Sequence, residues 1–254
     1  MTVFTFSSIA QSNQKTKTVI LVHGAWSDVS AWQAVTPLLK AHGHEVIEVN
    51  LPGHGADTTS FASITLNSYV EAVKTAIGER KNVVLVGHSM AGIVISQVAE
   101  DIPGQINKLI YLAAYLPQNG ESLLALAKTD ADSHVPKYLQ IDQNNGAAGI
   151  SREGVIDVFA ADAPAEVGKY IAEHIRPEPL VPLDTRVQLT AANFGKVAKV
   201  YVYTANDHTV GPKLQHLMVA KAKLSKTYSL ESSHTPFISM PGKVADIIIK
   251  ESNH

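Results

Sequence analysis

The sequence predicts an α/β fold: a doubly wound, mostly parallel sheet with a small cap inserted over one edge. Three observations predict it. Short β-branched runs alternate with amphipathic helical segments along most of the chain, the pattern of a parallel sheet covered on both faces. Two of those runs, Val19-Ile20-Leu21-Val22 and Val83-Val84-Leu85-Val86, are apolar throughout, as strands buried on both sides must be. One strand-to-helix junction is made of small residues around a serine, Gly87-His88-Ser89-Met90-Ala91-Gly92.

The elements follow in order. Residues 18–22 form the first strand, and Ser30 to Ala41 reads as its helix, stopping near Gly43. Glu45 to Val49 is the second strand. Leu66, Tyr69, Val70, Val73 and Ile77 recur at helical spacing, with Gly78 as the stop. Asn82 to Val86 is the third strand, followed by a helix over Gly92 to Glu100. Lys108 to Ala113 is the fourth strand. Near the end, Val197 to Tyr203 and Lys226 to Leu230 read as strands, with helices over Pro212 to Ala222 and Lys243 to Lys250.

Between these blocks, residues 114–192 break the alternation with scattered prolines and no convincing buried strand. The core is expected over 1–113 and 193–254, with residues 1–17 as an N-terminal arm. An insertion at that point lies over the carboxyl edge of the strands, where open α/β sheets bind ligands. It is expected to act as a cap over a cleft, because structureless excursions of this length are usually functional. Its apolar residues Leu123, Tyr138 and Phe159, with Tyr115 at its root, are candidate substrate walls.

Composition bounds the function. The chain has 254 residues, 45% hydrophobic and 17% charged, which excludes a disordered chain and suits one α/β unit. It has no cysteine, so disulfides, thiolate metal sites and a cysteine nucleophile are excluded. A formal net charge of −2 argues against a nucleic-acid partner or an acidic membrane surface. No apolar run reaches the roughly 18 residues of a membrane span. Ser8-Ile9-Ala10 resembles a signal-peptidase site, but no lysine or arginine precedes it. Cytoplasmic residence is therefore expected, with export as the alternative. The expected partner is a small molecule; a homodimer stays open. No phosphate loop or G-x-G-x-x-G stretch occurs, so no cofactor is expected. His42 and His44 have no third ligand at suitable spacing, so no metal is expected either.

The serine junction carries the chemistry. It follows a strand and opens a helix, the context that a nucleophile elbow requires. Ala91 stands where a second glycine is usual, and it still meets the steric rule. A serine hydroxyl needs a base whose pKa lies near 7. Of eleven histidines, His234 alone follows the last strand and reaches the elbow's edge of the sheet. His88 is expected to turn its ring elsewhere, and His54, in the turn cluster Pro52-Gly53-His54-Gly55, reads as a loop residue. Asp207, just past the strand 197–203, supplies the carboxylate that fixes the base. It also gives the chain order serine, aspartate, histidine. The backbone N–H groups of Met90 and Ala25 are the expected oxyanion donors, with Gly24 letting the backbone come close to substrate.

With these residues placed, the chain resembles the α/β-hydrolase superfamily. It is most similar to the branch of plant methylesterases, hydroxynitrile lyases and related bacterial esterases. The resemblance rests on Val19 to Ala25 followed by Trp32, on Gly87 to Gly92, on Tyr111-Leu112-Ala113-Ala114-Tyr115-Leu116-Pro117 and on Ser233-His234-Thr235-Pro236-Phe237. It implies a serine esterase with a Ser89–His234–Asp207 triad. Hydroxynitrile lyases of the branch carry threonine where Gly24 stands and lysine where Thr235 stands. Both departures favour ester hydrolysis over cyanohydrin cleavage. A ligand-sensing receptor on the same scaffold is the third reading, and an intact triad disfavours it.

Overall fold

The computed structural model describes residues 17–253. The N-terminal arm read from the sequence lies outside the described residues, apart from Lys17. In chain order the elements are β1 (Thr18–Val22), α1 (Thr36–Ala41), β2 (Glu45–Val49), α2 (Leu66–Ile77), β3 (Val83–His88), α3 (Ala91–Asp101) and β4 (Ile106–Leu112). The insertion then contributes α4 (Leu123–Ala127), α5 (Val135–Tyr138), β5 (Leu139–Asp142), β6 (Ala147–Ile150), α6 (Val155–Phe159), α7 (Ala165–His174), β7 (Glu178–Pro179) and α8 (Leu180–Asp184). The chain returns through β8 (Ala198–Thr204), α9 (Pro212–Lys221), β9 (Thr227–Leu230), α10 (Pro236–Ser239) and α11 (Pro241–Ser252).

Six strands form one sheet in the order β2-β1-β3-β4-β8-β9, and every pairing in it is parallel. Alternate side chains feed two cores. Ile20, Val22, Leu85, Leu109 and Tyr201 pack under α2, α3 and α9. Val19, Leu21, Val84, Val86, Ile110 and Val202 pack against Trp32, α1 and α11. Strand order reverses between β1 and β3, where Val22 stands opposite Gly87. The loops leaving these two strands therefore open side by side, at the switch point where such sheets bind ligands.

α2 covers the span read from the sequence. Thr65 caps it by accepting from the Ser68 N–H, and the Ser68 hydroxyl closes the box. Its five apolar side chains are buried, each worth about 1.5–3 kcal/mol of transfer free energy. Two expectations are corrected. The helix expected over Ser30 to Ala41 is instead a 3-10 turn, Val29–Trp32, followed by α1. Pro37 is the cause, because its ring would clash with the carbonyl four residues earlier in a continuous helix. The insertion does contain strands: β5, β6 and β7 make a small antiparallel sheet. They escaped notice because β5 is exposed and β7 spans two residues, too little for a periodic signal. Among the described residues no helix is long and apolar enough to cross a membrane.

Candidate active site

The serine sits on a strained turn. Ser89 has φ +54°, a left-handed conformation that costs a non-glycine residue about 1–2 kcal/mol. Neighbouring backbone holds it there. Its N–H donates to the Leu112 carbonyl at 3.2 Å, and its own carbonyl accepts from Gly92 and Tyr115 at 3.1 Å. Gly92 is glycine for steric reasons. A Cβ there would lie 2.1 Å from the Tyr115 carbonyl oxygen, a backbone atom that cannot step aside. Gly92→Ala is therefore expected to cost about 3 kcal/mol, the overpacking range. Gly104→Ala, where a Cβ meets nothing within 4 Å, should change stability by less than about 0.5 kcal/mol. Urea denaturation of the two variants measures the difference.

The structure brings His234 and Asp207 together. The His234 Nδ1–H donates to Asp207 Oδ2 at 2.8 Å, with both side chains buried. Oδ2 also accepts from the Thr204 hydroxyl at 2.7 Å and from Gln215 Nε2 at 3.2 Å. Oδ1 accepts from the Thr209 and Val210 N–H groups at 2.8 and 2.9 Å. Five donors thus hold one carboxylate, so its desolvation is compensated. The base loop is fastened from the insertion: Ser233 binds Asp162 through its N–H and hydroxyl, and the Thr235 hydroxyl donates to the Phe159 carbonyl at 2.7 Å. No hydrogen bond joins Ser89 Oγ to His234 Nε2. Hydrogen bonds of this kind are often long without substrate and shorten when it binds.

His88 corrects an expectation. Its ring is not turned away from the base. It packs 4.5 Å from His234 between ring centres, stands edge-on to Phe237, and donates from Nε2 to the His234 carbonyl at 2.9 Å. Burial, and then the neighbouring His234, hold its pKa well below the ordinary imidazole value. His88 is a neutral prop under the base loop.

Met90 follows Ser89 in the chain, and Ala25 lines the pocket that also holds His234. Neither N–H donates to another protein group among the described residues. Gly24 lies beneath: a Cβ on it would meet His88 Nδ1 and Ser89 Cβ at 2.8 Å. It packs beneath Ser89 and is not among the walls of the neighbouring pocket.

A pocket of about 270 Å³ opens beside the pair. Its walls include Ala25, Trp26, Phe159, Tyr170, His234 and Phe237. Of the expected substrate walls only Phe159 lies there. Tyr115 and Leu123 belong to the main core, with α4 packed against α8. Tyr138 packs with Val155 and Phe159 outside the pocket and turns its hydroxyl toward Asp157.

Sequence reading missed a second buried network behind the loop that carries Ala25 and Trp26. Glu178 of β7 is fully buried. It accepts from His54 Nε2 at 2.8 Å, from the Tyr69 hydroxyl at 2.8 Å and from the Trp26 N–H at 3.1 Å. Trp26 itself has φ +60°. His54 also donates from Nδ1 to the Pro52 carbonyl at 3.1 Å, and an imidazole that donates from both nitrogens is protonated. Burial opposes that charge, but the Glu178 carboxylate outweighs it and raises the His54 pKa. His23 is the opposite case. It donates from Nδ1 to Gly24 and accepts at Nε2 from the Leu51 N–H, so it is neutral, and burial lowers its pKa to about 3. The only sequence signal for Glu178 was its place between Pro177 and Pro179.

Known proteins share this fold. Residues 19–247 match the model of the alpha/beta hydrolase family. The chain belongs to that family. Methylesterase 1 of Arabidopsis thaliana is 26% identical over 248 residues, covering 91% of this chain and 94% of that protein. A pyrethroid hydrolase of Sphingobium wenxiniae is 28% identical over 240 residues, covering 91% and 85%. The solved structure of a pyrethroid hydrolase from Sphingobium faniae superposes with a TM-score of 0.83 at 26% identity, covering 94% of this chain and 98% of that one. Some relatives are longer: this family member spans 56% and 57% of the proteins named as chloroplastic methylesterases 13 and 15 of Arabidopsis thaliana.

Proposed function

We propose that this α/β-hydrolase cleaves small to medium apolar carboxylic esters through an acyl-enzyme. The observation that carries the reading is the buried His234–Asp207 pair at 2.8 Å beside a serine on a strained elbow, at the sheet's switch point. The relatives named as methylesterase and pyrethroid hydrolase support ester chemistry. The insertion 114–192 serves as the cap, and its Phe159 and Tyr170 give the pocket an apolar wall.

In this mechanism substrate draws Ser89 Oγ and His234 Nε2 together. Nε2 takes the hydroxyl proton as Oγ attacks the ester carbonyl, and Asp207 stabilises the imidazolium. The Ala25 and Met90 N–H groups receive the developing oxyanion, each worth roughly 3 kcal/mol. His234 then protonates the leaving alcohol, and water repeats the sequence on the acyl-enzyme. Cyanohydrin cleavage is disfavoured at Thr235, whose neutral hydroxyl is committed to the Phe159 carbonyl.

The test is labelling with a fluorophosphonate, followed by a panel of p-nitrophenyl esters of increasing acyl length. The expected label is on Ser89, with short and medium acyl chains preferred. Ser89→Ala is expected to stay folded and lose a factor of about 10⁴ or more in kcat. Near-wild-type turnover by the purified variant removes Ser89 from the reaction. Cyanide release from mandelonitrile well above the buffer blank favours the lyase instead.

A further inference from the structure

A second cluster of titratable side chains lies where the insertion meets the loop that carries Asp207. His134 immediately precedes α5, Asp157 is in α6, and His208 follows Asp207. His134 Nδ1 lies 3.0 and 2.9 Å from the two carboxylate oxygens of Asp157. His208 Nδ1 lies 2.8 Å from Oδ1 of the same carboxylate and 3.1 Å from the Asp157 main-chain oxygen. The two rings face each other with centres 4.1 Å apart. The three potential ligand atoms all fall within 4.8 Å of one another. The side chains are 29%, 32% and 37% exposed for His134, Asp157 and His208, so an ion and its water can reach them.

The arrangement is built by its surroundings. The His134 N–H donates to the His208 carbonyl at 2.8 Å, and the Thr209 hydroxyl donates to the Val158 carbonyl at 2.6 Å. These bonds fix three separate segments around the carboxylate. One carboxylate and two imidazole nitrogens form a donor set of the kind that binds divalent ions of the zinc type. In a tetrahedral site with bonds of about 2.0–2.2 Å, neighbouring ligand atoms are roughly 3.3 Å apart. The observed nitrogen–oxygen separations need to open by only a few tenths of an ångström. Nitrogen donors select zinc, cobalt or nickel over magnesium or calcium.

We infer that His134, Asp157 and His208 bind one divalent ion of the zinc type, with solvent completing its coordination. Each ring then carries its single proton on Nε2 and presents Nδ1 to the metal. The ion ties the insertion to the segment that positions Asp207. No step of ester hydrolysis passes through it.

The test uses the full chain after dialysis against a chelator. Zinc binding is measured by calorimetry, and cobalt binding by visible absorption. The expected result is one zinc per chain with Kd of about 10 µM or tighter. Cobalt should give the ligand-field bands of a four- or five-coordinate ion. Zinc should also raise Tm, as any ligand of the folded state does. His134→Gln and His208→Gln should each weaken zinc by about 100-fold or more and abolish the cobalt bands. Their metal-free circular dichroism should match the wild type. Absence of saturable zinc binding up to about 1 mM, or binding unchanged in both variants because other histidines supply it, overturns the inference.

Discussion

Asp207→Asn is expected to lower kcat by about 10⁴-fold while leaving the fold in place. The asparagine oxygen can keep the Thr209 and Val210 N–H groups that Oδ1 now accepts. Its NH2 group then takes the position of Oδ2, facing His234 Nδ1. Two donors cannot face each other, so the imidazole moves its proton to Nε2. The lone pair that should receive the Ser89 proton is lost. The same NH2 also meets Gln215 Nε2, now 3.2 Å from Oδ2. That contact costs about 1–3 kcal/mol of stability, the penalty of an unsatisfied buried polar group. Steady-state kinetics on a short-chain p-nitrophenyl ester, with Tm measured alongside, separates the two effects. The loss belongs in kcat, because the pocket walls are unchanged. A variant within tenfold of wild type would show that Asp207 does not orient the base.

This residue also shows what the sequence made legible. Ser89 and Asp207 could be placed from the apolar strands β3 and β8 that precede them, and His234 from its position after β9, the last strand, although β9 itself, Thr-Tyr-Ser-Leu, is not an apolar run. A parallel sheet brings all such ends to one edge. Ala25 was placed from the stretch His23-Gly24-Ala25-Trp26 that follows β1. What lay beyond reading depended on how the insertion folds back. Leu123 and Phe159 look alike in sequence, yet α4 turns one into the core and α6 turns the other toward the pocket. His54 looked like one more residue of a turn, because its partner Glu178 is 124 positions away and in a two-residue strand. Pairings of that kind leave no periodic trace. His88 was misread for a related reason: side-chain direction next to a strained residue follows from local backbone angles, which spacing does not report.

Glu178→Gln should be among the most damaging substitutions outside Ser89, His234 and Asp207. The carboxylate compensates a buried imidazolium, receives the Tyr69 hydroxyl and holds the Trp26 N–H next to Ala25. Removing one partner of a buried ion pair typically costs about 3–5 kcal/mol. A glutamine keeps part of the hydrogen bonding, so about 3 kcal/mol is expected from urea denaturation. The loss should depend on pH in a defined direction. The His54 pKa is raised by Glu178. Its contribution is therefore full below the unfolded imidazole value of about 6.5 and fades as pH rises through the folded value. The stability gap between wild type and variant is expected to be wider at pH 6 than at pH 9. His23, lowered to about 3, binds a proton more readily when unfolded. It weakens both proteins as pH falls below about 6.5, and so cancels from the difference. A gap that is constant with pH would mean that His54 is not charged in the folded protein. Activity gives a separate reading. With Trp26 released, the Ala25 N–H is less firmly aimed at the oxyanion, and kcat should fall about tenfold with little change in KM. A variant that loses stability but keeps its kcat would assign Glu178 to holding the insertion on the core, and would leave the oxyanion loop fixed by other contacts.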